Sequence, residues 1–265
     1  MGQGRAPGVV SAPCYPGEDP GGDQMLIDTN APLAQAVTEA IRTGNAAALS
    51  DLLTAHPGLA TARVGNMRTT RTLLHIATDW PGHLPDGPRT VGALVAAGAD
   101  VNARFTGAHR ETPLHWAASC DDVPVLDALL DLGADIEADG GVIGDGTPLA
   151  DAVAFGQWNC ARRLLERGAR TTLWQAAALG EADRVAARFI SDTDRPGAED
   201  VTAALWCACH GGQQGIADYL LRRGGDVNWI GYDRLTALDA AHREGHHTLV
   251  TWLREQGAKS AQELV

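Results

Sequence analysis

The side chains best equipped for chemistry are two carboxylates, Asp79 and Asp151, an imidazole, His210, and a guanidinium, Arg243, with Trp80 and Trp116 as candidate walls. Acid, base and aromatic surface are the parts a small-molecule site needs. Nothing local ties these groups together: the chain has no nucleophile elbow, P-loop, dinucleotide fingerprint or zinc motif. His242, His246 and His247 cluster within Ala241–His247, but Gly245 interrupts the helical spacing that would put two imidazoles on one face. The cysteines, Cys14, Cys120, Cys160, Cys207 and Cys209, are odd in number and scattered, and Cys207-x-Cys209 lacks the spacing of a zinc or redox pair. The last four read as small apolar residues packed inside helices in a reducing, cytoplasmic compartment. No cofactor and no metal is expected.

The elements that must position these groups repeat along the chain. Thr112-Pro113-Leu114-His115-Trp116-Ala117 has counterparts at Thr72–Ala77, Thr147–Ala152 and Thr236–Ala241, with weaker copies from Ala31, Thr172 and Ala204. Threonine or aspartate before proline is a helix start, because the threonine hydroxyl caps free N–H groups and proline tolerates the first helical position. Leu114 and Ala117 lie three apart and share one buried face, where alanine lets neighbouring helices approach closely. A second apolar stretch follows each landmark and stops at a glycine, Gly98, Gly133, Gly168, Gly224 or Gly257, suited to a left-handed helix end. Gly98 to Gly133 and Gly133 to Gly168 are both 35 residues, and Gly224 to Gly257 is 33.

The Thr-Pro-Leu-His-x-Ala landmark and this period resemble the ankyrin repeat family over about residues 31–260. The resemblance implies an all-α ankyrin-repeat solenoid of about seven stacked helix pairs with short hairpin fingers. Inner helices should start near residues 32, 72, 113, 148, 172, 203 and 237. Residues 1–24, rich in Gly and Pro, are expected to be disordered, and 25–265 to form the repeat domain. One repeat near 172–200 is irregular: Leu149 to Leu173 is 24 residues, which leaves almost no finger. The second repeat is stretched by the turn-rich insertion Asp79–Pro88.

The resemblance also implies that the repeat histidine, here His75 and His115, ties one repeat to the next through hydrogen bonds. It further implies a concave face lined by the residue after the histidine position and the one three further on. By register the first set includes Trp116 and Asp151, with Gln35, Ile76, Gln175, Cys207 and Ala240. The second includes Asp79, Ser119 and His210, with Thr38, Ala154, Ala178 and Arg243. Finger residues Phe105, His109, Arg110, Trp229 and Tyr232 are further contacts. Trp116 is the expected anchor for a partner, and Trp80 and His83 are placed to fold over the groove.

The chain is acidic, with a formal net charge of -12 and Lys259 as its single lysine, which opposes nucleic-acid binding. Such arginine usage is associated with GC-rich bacterial genomes. The 45% hydrophobic content suffices for a continuous core, and no apolar run is long enough to span a membrane. The expected partner is another protein, held by a monomer through its groove and fingers. The alternative is a small-molecule-binding or catalytic solenoid using Asp79, Asp151, His210 and Trp116.

Overall fold

A computed structural model describes residues 25–190 and 195–265, so the segment expected to be disordered lies outside the described residues. The chain falls into two compact units that part between Ala169 and Arg170.

In the first unit, four helix pairs follow one another: α1 (Pro32–Arg42) with α2 (Ala46–Ala55), α3 (Leu73–Ala77) with α4 (Gly87–Ala96), α5 (Pro113–Ser119) with α6 (Val123–Asp131), and α7 (Pro148–Ala154) with α8 (Trp158–Glu166). Leu73, Leu74, Leu94, Leu114, Leu126, Leu149 and Leu164 are completely buried along this run. Each side chain of this kind contributes roughly 1.5–3 kcal/mol of transfer free energy when fully removed from water. The outer helices end where the sequence places glycines: Gly98, Gly133 and Gly168 have φ of 101°, 93° and 98°.

This unit also carries a small sheet that the helical pattern did not foretell. β1 (Leu26–Asp28) pairs parallel with β2 (Arg63–Gly65), which pairs antiparallel with β3 (Thr70–Thr72). The first finger is thus a β-hairpin, and Thr70 bridges to Thr106 in the next finger. Arg63 pins these segments, donating from Nε to the Thr70 hydroxyl at 2.7 Å and from Nη2 to the Thr106 hydroxyl at 3.0 Å.

The second unit has three pairs: α9 (Leu173–Leu179) with α10 (Ala182–Ala187), α11 (Ala198–His210) with α12 (Gln214–Leu221), and α13 (Ala237–Arg243) with α14 (His247–Glu255), followed by the short α15 (Ala261–Leu264). The described residues thus hold seven pairs. Six inner helices begin within a residue of their expected starts, but α11 begins at Ala198 rather than near 203. The reason is a local cap. The Asp200 carboxylate accepts the Gly197 N–H at 3.1 Å, so the acidic Ala198-Glu199-Asp200 turn extends the helix.

Candidate functional site

The recurring device of the fold is a clasp at the inner-helix start. His75 Nδ1 lies 2.8 Å from the Thr72 hydroxyl and its Nε2 lies 3.1 Å from the Glu111 carbonyl. His115 repeats this, with Nδ1 accepting the Thr112 N–H at 3.1 Å and Nε2 reaching the Gly146 carbonyl at 3.1 Å. An Nδ1 that accepts a backbone N–H leaves the proton on Nε2, which donates to the carbonyl of the next finger. Both rings are buried and neutral, and burial pulls their pKa values down to about 3 for His75 and about 4 for His115.

Other residue types fill the same position elsewhere. Gln175 Oε1 accepts from the Thr172 N–H and hydroxyl at 2.7 and 2.9 Å. Asp239 Oδ2 accepts the Thr236 N–H and, at 2.7 Å, the N–H of Ala261. Trp206 donates its indole N–H to the Leu235 carbonyl at 2.9 Å. Asp239 and Trp206 are therefore joints of the scaffold, as the resemblance implies for His75 and His115, while Gln175 closes the cap of its own helix.

On the first unit the joints support an open pocket of about 230 Å³. Three of the expected groove residues, Asp79, Trp116 and Ser119, meet there beside Trp80, Glu111 and Phe155. Trp116 is half-buried. It stands edge-on to His75, ring centroids 4.9 Å apart, and against Phe105 at 5.4 Å, so the finger residue Phe105 is the support under Trp116. Trp80, in the insertion, is 79% exposed. The insertion is anchored by Asp122, whose Oδ2 accepts the His83 N–H at 2.6 Å while its Oδ1 caps α6 at Val125.

The carboxylates around this pocket are held differently. Asp79 is paired with Arg71 at 2.7 Å and Arg42 at 3.3 Å. Glu111, which no register argument selected, is 8% exposed, and burial raises its carboxyl pKa against the pull of the Trp116 indole and of His109. The Ser119 hydroxyl is buried and has no hydrogen-bond partner. Glu111 was legible only as the residue before Thr112 in the landmark, a position that the helical periodicity leaves outside the helix.

Two expected site residues are corrected by the structure. Asp151 is completely buried. It accepts the Ile143 N–H at 3.1 Å and the Val142 N–H at 3.4 Å, shaping the finger before its own helix, and burial raises its pKa to about 7. It does not join Asp79, whose carboxylate is held by arginines, so the two acids form no catalytic pair. His210 is 2% exposed, packed on Trp206 with ring centroids 5.5 Å apart and with Glu244 at 3.6 Å. Ile76, Gln175, Cys207, Ala178 and Ala240 are buried as well. The short inner helices are flanked by neighbours on two sides, so much of the face assigned to the groove is packing surface.

Of the finger residues, Arg110 is exposed and His109 half-buried. In the second unit Trp229 is half-buried and Tyr232 is 42% exposed; Tyr232 stands edge-on to both Trp229 (5.6 Å) and Trp206 (5.1 Å). His246 donates from Nε2 to the His210 carbonyl at 3.1 Å. Among the described residues no group of three or more His, Cys, Asp or Glu side chains is arranged to hold a metal ion.

Comparison with known proteins places the clasp-and-finger unit. A family model described as ankyrin repeats (3 copies) matches residues 85–173, and one described as ankyrin repeat matches residues 202–231. The chain is an ankyrin-repeat protein. An ankyrin repeat and KH domain-containing protein of Caenorhabditis briggsae is 32% identical over 179 residues, which is 64% of this chain and 7% of that protein. The chain therefore spans a small part of the relative's length. Ankyrin repeats are in general protein–protein interaction modules, and each of the two matched regions lies within one compact unit except for the last few residues of the first. No helix among the described residues is long and apolar enough to cross a membrane.

Proposed function

We propose that this ankyrin-repeat protein binds a protein partner through the Trp80–Trp116 pocket of its first unit, with Asp79, Ser119 and the finger residues Phe105, His109 and Arg110 as the surrounding contact surface. The observation that carries the reading is Trp80. Trp80 is left 79% exposed beside a second, half-buried tryptophan at the mouth of the pocket. Exposed aromatic anchors next to a concavity are what partners bury as hot spots. In the second unit, Trp229 and Tyr232 offer a smaller contact surface of the same kind. The net charge of -12 argues against nucleic acid as the partner. A monomer in the reducing cytoplasm fits the four described cysteines, all free thiols.

The test compares the full-length wild type with Trp80→Ala and with Ile190→Ala, a control at another exposed apolar residue (81%). Proteins retained from extracts of the source cells are quantified. A partner whose retention falls at least about fivefold with Trp80→Ala and persists with Ile190→Ala supports the reading. Retention indifferent to Trp80→Ala refutes it.

A further inference from the structure

We infer that the Trp80–Trp116 pocket is built to receive the guanidinium of an arginine side chain presented by the partner. The inference deepens the interaction reading above and rests on it for the source of the arginine, but not for the chemistry of the pocket.

The wall of the pocket combines aromatic faces with acid. Trp80, Trp116 and Phe155 supply three rings, Asp79 and Glu111 supply two carboxylates, and no basic residue lines it. Aromatic faces attract cations through their quadrupole, and arginine, planar and weakly hydrated, stacks on them better than lysine does. The two acids are not equivalent. Asp79 already has Arg42 and Arg71 as counter-ions. Glu111 has none: its surroundings are the Trp116 indole, the more distant field of His109, and the like charge of Asp151, with which it interacts electrostatically. A buried carboxylate lacking a cation is costly, and a cation that enters beside it recovers part of that cost.

The third element is the Ser119 hydroxyl, buried on the same wall with no hydrogen-bond partner. A guanidinium carries five donors in a fixed fork, enough to serve a carboxylate and a hydroxyl together. An apolar side chain would satisfy the rings and leave Glu111 and Ser119 as they are. An acidic one would be repelled by Glu111.

The test uses three small probes that differ in charge and shape: N-acetyl-arginine methylamide, its neutral isostere N-acetyl-citrulline methylamide, and N-acetyl-leucine methylamide. Each is titrated into the full-length protein, and the indole N–H resonances of Trp80 and Trp116 are followed by NMR. The arginine probe is expected to shift both resonances saturably and to bind about tenfold more tightly than citrulline. Glu111→Gln should bring arginine down to the citrulline level. Trp80→Ala, at an exposed position where folding is not at stake, should weaken arginine at least about threefold. Citrulline or leucine binding as tightly as arginine, arginine binding untouched by Glu111→Gln in a folded variant, or no saturable shift at all would overturn the inference. Because these probes are free amino-acid derivatives, their failure leaves the partner-retention result standing. Conversely, arginine binding without any retained partner would count against the interaction reading alone.

Discussion

Replacing His115 with glutamine should flatten the acid sensitivity of this protein by an amount that can be worked out from the clasp. His115 is completely buried, with Nε2 at the Gly146 carbonyl and a folded-state pKa of about 4 against 6.5 for the free side chain. A group whose folded pKa is depressed in this way is proton-free in the fold and protonated in the unfolded chain once the pH drops below 6.5. Its contribution to stability is therefore full above that value and is lost as the pH falls towards 4. At pH 6.5 half of the unfolded chains already carry the proton, so between pH 6.5 and pH 5 the further loss is about 1–2 kcal/mol, at up to 1.36 kcal/mol per pH unit. Glutamine does not titrate, and Gln175 shows that it fits the clasp, accepting from both groups of Thr172. Asp151 works in the opposite direction. Its folded pKa, raised to about 7, makes its contribution complete at low pH and lost as the pH rises towards 7, but this is common to wild type and variant and cancels in the difference. The assay is urea unfolding followed by circular dichroism at pH 6.5 and pH 5. The wild-type midpoint should fall between these pH values by about 0.5–1 M urea more than that of His115→Gln, taking a slope near 2 kcal/mol per molar. An identical pH shift in the two proteins would mean that His115 is accessible to protons in the folded state, and the neutral clasp would have to be abandoned.

Other outcomes follow from single positions. A Cβ at Gly211 would lie 1.9 Å from the Ala178 carbonyl oxygen, whereas one at Gly92 in α4 meets nothing within 4 Å. Gly211→Ala should therefore destabilise by about 1–3 kcal/mol and Gly92→Ala stabilise by about 0.5–1 kcal/mol, read from thermal or urea unfolding. Burial raises the thiol pKa of Cys120 to about 11 and of Cys209 to about 12, and those of Cys160 and Cys207 further still. Mass spectrometry after iodoacetamide at pH 8 should find the buried Cys160, Cys207 and Cys209 unmodified in the native protein and alkylated after denaturation; rapid native labelling of any of these three would contradict the packing. Asp122→Ala removes the acceptor of the His83 N–H and the cap of α6, so it should cost about 1–3 kcal/mol and also weaken partner retention through Trp80. Retention unchanged in a destabilised Asp122→Ala protein would show that the insertion is not what positions Trp80.

The helix pairs, six of the seven inner-helix starts and the glycine stops were legible in the sequence, because these depend on short-range physics. Threonine and proline set each beginning, glycine at positive φ sets each end, and the alanine-leucine spacing chooses the buried face. The sequence also pointed to His75 and His115 as joints and to Trp116 as an anchor. Tertiary structure decided which polar residues are free to act. The repeat register assigned both Asp151 and Asp79 to the concave face, yet one is buried under its own finger and the other sits at a pocket edge between two arginines. Glu111 became visible only once Trp116, Trp80 and Ser119 closed around it. Exposure and local electric field are set by what neighbouring repeats and insertions lay over a side chain, and those neighbours come from distant parts of the chain that a repeat register does not specify.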